Sequence, residues 1–152
     1  MKTDTENPLA RSPIHLLHRA YQAVGQLFTN GMVTSDLTPR QLAVLVAVAE
    51  NEGLSQTDLV ERTGIDRSTL ADVAKRLKGK GLLQRRRTKE DARAYAVKLT
   101  EEGQRLLRTA EPLAKRIDER VLDALPAKRR AEFMSALASI VSTLERAQSA
   151  AA

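Results

Sequence analysis

Four residues, Thr63-Gly64-Ile65-Asp66, separate two stretches that both carry helix-start signals and helical apolar spacing. Ser55-x-x-Asp58 opens the first stretch: a Ser side chain accepts from a free amide one turn on, and an acid three residues later caps in return. Leu59 and Val60 are its apolar residues. Gly64 closes it, because glycine adopts the left-handed backbone of a helix end without strain. Asp66 caps the second stretch, 67 to about 79, with Leu70, Val73, Ala74 and Leu77 on one face and Gly79 and Gly81 as stops. Two such helices across a tight glycine-containing turn form a helix-turn-helix, with Ile65 plugging the angle between them. The turn alone also suits an ordinary helical hairpin, so its surroundings decide.

Upstream, Ser12-Pro13 reads as cap and first helical residue, and Ile14, Leu17, Tyr21, Val24 and Phe28 follow at helical spacing. The pattern predicts a helix over 13–29 closed by Asn30-Gly31, after a polar, disordered arm at 1–11. Thr38-Pro39-Arg40-Gln41 is a capping box with proline at the first helical position, and it starts a helix to about Glu50 that is apolar on most faces and so largely buried. Downstream, Leu82-Leu83 and the alternating Tyr95-Ala96-Val97-Lys98-Leu99 flank a charged stretch, 84–93. They predict two short strands around a long basic tip. Thr100-Glu101-Glu102 starts a fifth helix, which Pro112 should kink. Pro126 starts a sixth, and 148–152 reads as a loose tail. The expected fold is mainly α with a small β-hairpin wing: a winged helix-turn-helix lobe over 37–99, and a helical dimerisation region over 12–36 and 100–147, together one domain over 12–147. The terminal helices hold more apolar residues than so small a lobe could cover, which points to a homodimer.

Charge separates the readings of the turn. Residues 66–98 hold 11 basic and 4 acidic side chains, a net +7; the whole chain is +6, so the remainder carries −1. The entire positive excess coincides with the proposed motif, as polyanion binding requires. A major groove admits an α-helix, whose outward residues reach base edges. Here these are Arg67, Ser68, Thr69, Ala71, Asp72, Lys75 and Arg76. The hairpin tip, with Arg86, Arg87, Lys89, Asp91 and Arg93, has the reach to enter a minor groove. Asp91 either orients Arg93 or Arg87 or is a solvated turn residue.

Other classes find little support. With no cysteine, disulfides, thiol redox sensing and Cys-ligated zinc are excluded. Lys78-Gly79-Lys80-Gly81 lacks the spacing of a phosphate-binding loop, and no dinucleotide motif or nucleophile elbow is present, so neither catalysis nor a cofactor is expected. The start of the chain has no apolar leader. Its longest uncharged apolar run, 42–49, is far shorter than the ~20 residues of a membrane span. A cytoplasmic protein with no membrane partner is the expectation.

Asp66-Arg67-Ser68-Thr69, Lys80-Gly81-Leu82, Asp91-Ala92-Arg93 and Leu99-Thr100-Glu101-Glu102-Gly103, in this order and spacing, resemble the MarR family of bacterial regulators over 37–107. The resemblance implies a homodimer whose first and last helices interlock, with a recognition helix from each lobe in a major groove of palindromic double-stranded DNA. It places Arg93 in the family's Asp-x-Arg wing tip. Asp72 departs from the basic or small polar residue of many relatives; it either accepts from a cytosine amino group or pairs with Arg76 one turn on, and the pairing is the simpler option. Family members often bind small aromatic or phenolic acids between the dimer helices and the DNA-binding lobe. His15, His18, Tyr21, Gln22 and Phe28 could line such a pocket, and a coenzyme A thioester on the basic lobe is a further option. The function expected is a repressor released by such an effector; the alternative is a ligand-insensitive architectural DNA-binding protein.

Overall fold

The computed structural model describes residues 7–87 and 95–152 of the chain, without the side chain of Tyr95. The chain divides into two compact units, Met1–Lys115 and Arg116–Ala152.

In the first unit, helix α1 (Pro13–Gly31) is capped by Ser12, whose Oγ accepts the His15 amide at 3.3 Å. Helix α2 (Pro39–Glu50) begins with the expected reciprocal box: Thr38 Oγ1 accepts the Gln41 amide at 3.2 Å, and Gln41 Oε1 accepts the Thr38 amide at 3.0 Å. The box explains how Gln41 can be buried. Helix α3 (Gln56–Thr63) starts at a second box made by Ser55 and Asp58, and ends at Gly64 with φ 66°. Helix α4 (Arg67–Gly79) starts at Asp66. It ends in bonds from the Leu82 amide to the Leu77 carbonyl and from the Gly81 amide to the Lys78 carbonyl, which Gly81 permits at φ 73°. Strands β1 (Leu83–Arg87) and β2 (Tyr95–Leu99) pair antiparallel, from Leu83 opposite Leu99 to Arg87 opposite Tyr95. The Val97 amide also reaches the Leu54 carbonyl at 3.0 Å, which fastens the hairpin to the segment before α3.

Helix α5 (Glu101–Leu122) starts against the base of the hairpin. Thr100 Oγ1 accepts the Gly103 amide at 3.0 Å and donates to the Gly81 carbonyl at 2.6 Å, while the Thr100 amide donates to the Leu82 carbonyl at 3.1 Å. A Cβ at position 103 would collide with that Leu82 carbonyl, so only glycine fits. The core of this unit joins Val44, Leu45 and Val48 of α2, Leu59 of α3, and Leu70 and Leu77 of α4, all fully buried.

In the second unit, helix α6 (Ala127–Ala151) follows a turn closed by one guanidinium: Arg130 Nε donates to the Leu125 carbonyl at 3.1 Å, and Nη2 lies 3.0 Å from Asp123 Oδ1. Along α6, Phe133, Met134, Ile140, Val141 and Leu144 are exposed, as are Ile14, Leu16, Leu17 and Tyr21 along α1.

Four boundaries differ from the sequence expectation. A 3-10 turn, Pro8–Arg11, capped by Asn7, occupies the end of the arm read as disordered. Helix α1 runs through Asn30-Gly31 instead of stopping there; Gly31 has no positive φ, and Gln26 bonds Asn30 at 2.9 Å one turn away. Strand β1 continues to Arg87, so Arg86 and Arg87 stand on a strand and not in the tip. The tail from 148 is helical up to Ala151, as an alanine-rich segment favours. Among the described residues, no helix is long and apolar enough to cross a membrane.

Candidate nucleic-acid interface

Helix α4 buries Leu70, Val73, Ala74 and Leu77. At about 100° per residue, the opposite, outward line is then Ser68, Asp72, Lys75 and Gly79, with Ala71 and Arg76 beside it. All of these but the half-buried Ala71 are exposed.

The start of the helix is held by Asp66. Its Oδ1 accepts the Thr69 amide at 2.9 Å and the Ser68 hydroxyl at 2.9 Å. Donation from Thr69 first, and from Ser68 second, lowers its carboxyl from the usual 3.8 to about 2. Arg67 does not share the outward line. Its Nη2 donates to Thr57 Oγ1 at 3.1 Å, so the guanidinium bridges α4 to α3.

The cations fall into two groups. Three are tied down: Arg76 Nη2 to Asp72 Oδ2 at 3.3 Å, Lys80 Nζ to Asp36 Oδ2 at 3.0 Å, and Lys98 Nζ to Glu52 Oε2 at 3.5 Å. Lys80 holds the Asp36 carboxyl below its usual range, by hydrogen bond and charge. Lys75, Lys78, Arg85 and Arg86 are exposed and carry no ion pair among the described residues. Lys89, Asp91 and Arg93 lie outside the described residues. Two residues that the sequence reading left out now adjoin the set. Thr57 could not have been picked, since a lone Thr on α3 carries no signal. Arg85 stood in plain view within the run Arg85-Arg86-Arg87.

The five effector candidates do not share one face. On α1, His15, His18 and Gln22 follow one stripe, and Tyr21 and Phe28 another about a quarter-turn or more away. His15 is half-buried, His18 and Gln22 are exposed, Tyr21 is 72% exposed, and Phe28, at 8%, belongs to the core. Among the described residues, no three His, Asp or Glu side chains gather to hold a metal ion.

Residues 35–94 match the model of the MarR family. The HTH-type transcriptional repressor NicR of Pseudomonas putida is 30% identical over 95% of this chain and 96% of its own length. The structure of the PcaV transcriptional regulator from Streptomyces coelicolor in complex with its natural ligand superposes with a TM-score of 0.83, at 37% identity, over 90% of this chain and 96% of that one. BpsR of Bordetella bronchiseptica, whose DNA binding is regulated by 6-hydroxynicotinic acid, superposes with a TM-score of 0.76 at 32% identity, over 84% and 96%.

Proposed function

The chain belongs to the MarR family of transcriptional regulators, and from that premise we propose that it is a cytoplasmic homodimeric repressor that a small hydroxylated aromatic acid releases from its operator. The family and its fold are those of regulators and not of enzymes.

The observation that carries this reading is the exposed face of α4, where Lys75 and Lys78 carry no ion pair among the described residues, next to a hairpin whose Arg85 and Arg86 are exposed. In the proposed complex, Ser68, Ala71, Asp72, Lys75 and Arg76 face base edges, Arg67 and Thr69 hold the helix start at the backbone, and the wing with Arg86, Arg87, Lys89, Asp91 and Arg93 reaches the neighbouring minor groove. Exposed apolar residues on α1 and α6 supply the dimer interface, and a second copy duplicates the reading helix for a palindromic site. The effector belongs against the His15, His18 and Gln22 stripe of α1. The DNA binding of BpsR is regulated by an aromatic acid, 6-hydroxynicotinic acid, and imidazoles suit a carboxylate.

The test is fluorescence anisotropy of the full chain on a labelled duplex from the promoter beside its own gene. Binding should be saturable and fall steeply with salt, and Arg93→Ala should weaken it and flatten the salt dependence. Adding 6-hydroxynicotinic acid or a hydroxybenzoic acid should lower the affinity. Equal binding to a scrambled duplex would turn the reading toward an architectural protein. Indifference to every hydroxylated aromatic acid would remove the sensing half.

A further inference from the structure

An acid occupies the centre of the surface proposed to enter the groove. Asp72 shares the outward line of α4 with Ser68 and Lys75, directly opposite buried Leu70 and Leu77. Its side chain is 62% exposed, and Arg76 pairs with Oδ2 alone, at 3.3 Å; Oδ1 has no partner among the described residues. As a helix-surface ion pair this contact contributes little, because both groups are solvated. As part of a DNA-reading face it has a large consequence. A carboxylate brought into the groove loses water and faces a wall of phosphates, and Arg76 compensates only one of its oxygens. The base-edge group that satisfies the other is an amino donor, and cytosine N4 presents one in the major groove with which Asp pairs.

We infer that Asp72 is a specificity-determining residue: its Arg76-tethered carboxylate selects a cytosine in each half-site and rejects a base whose major-groove edge places an acceptor there, such as guanine O6 or N7, thymine O4 or adenine N7. This rests on the proposed reading of α4 as the recognition helix. The partner chemistry is a DNA edge with an amino donor beside a phosphate or guanine that Arg76 meets. The same carboxylate weakens binding to every other sequence, so it acts by rejection as much as by attraction.

The experiment is parallel selection from a pool of random-sequence duplexes with the full-length wild type, Asp72→Asn, Asp72→Ala and Arg76→Ala, followed by affinity measurement on the selected and scrambled duplexes. The wild type should enrich a palindrome with one fixed cytosine per half-site. In both Asp72 variants that position should become degenerate. The ratio of selected to scrambled affinity should fall about five- to 150-fold, the range for losing one good base contact, with part of the change appearing as tighter binding to scrambled DNA. Arg76→Ala should lower affinity but keep the cytosine. A fixed cytosine that survives in both Asp72 variants, or an equal shift of both affinities, overturns the inference while leaving the recognition helix in place. A wild type that enriches no motif overturns both. The helix signal by circular dichroism should be unchanged in all variants, since the side chains of Asp72 and Arg76 are 62% and 70% exposed.

Discussion

Among the described side chains between residues 37 and 97, the large apolar ones are covered by their own unit: Leu45, Leu59, Leu70 and Leu77 are at 0% exposure. Along α1 and α6 the same residue types stand in solvent, with Ile14 at 84% and Leu144 at 57%. The difference separates two sources of stability. The winged lobe completes its hydrophobic core within its own unit, whereas the terminal helices carry exposed apolar area, which in the proposed homodimer a second copy covers. A mutation in the lobe should therefore act at any protein concentration, and one on the terminal helices mainly through assembly.

The largest expected effect comes from Leu45→Ala, which opens a cavity between α2 and its neighbours. It should cost about 2–5 kcal/mol in urea denaturation, unchanged on diluting the protein. A cost that disappears on dilution would erase the contrast. Next, Ile14→Asp and Leu144→Asp should each raise the dimer dissociation constant by at least about tenfold in sedimentation equilibrium, because a large apolar side chain contributes roughly 1.5–3 kcal/mol when covered. Within the monomer both changes fall on exposed sites and should be nearly neutral. Arg85→Ala separates the inside of the lobe from its outside. Its unfolding midpoint should stay within about 0.5 kcal/mol of wild type, while the logarithmic salt slope of DNA binding falls by about one.

The smallest effect concerns pH. Asp66 has a lowered folded-state value of about 2, so it contributes stability that is fully present above the usual 3.8 and is lost as pH falls through about 2. Asp58 and Asp36 are shifted the same way. The difference between wild type and Asp66→Asn, followed by urea midpoint, should thus be constant near neutrality and shrink between about pH 4 and 2. A difference that grows on acidification would refute the cap's role.

The legible parts of the fold were those set by short-range chemistry. Thr38 with Gln41, Ser55 with Asp58, Asp66 and Gly64 announce helix ends because each satisfies backbone groups a few residues away. The alternation of β2 was equally plain. Its partner was obscured, because the ladder of β1 is made by backbone groups while its side chains, Gln84 to Arg87, read as loop. Chain ends misled for a similar reason: no apolar pattern marks Pro8–Arg11 or the last turns of α6, yet local capping and alanine propensity order them. In the proposed interface, residue types were readable from composition and charge. Which cations are already occupied was not, because Asp36 and Glu52 lie far in sequence from Lys80 and Lys98. Spacing also grouped Phe28 with His15, although about 140° separates the two around α1 at about 100° per residue and Phe28 is buried.

The seat of Gly103 against Leu82 makes the start of α5 and the root of the wing a single rigid casting. Thr100 is bonded both to Gly81 and to Gly103, so the first turn of α5 is tied directly to the root of the wing. A tilt at the first turn of that helix carries the root of the wing with it through these contacts. Over roughly 30 Å, the length of about 20 helical residues, a tilt of about 6° amounts to roughly 3 Å, close to one base step. Misalignment by a single step suffices to put a recognition helix out of phase with its half-site.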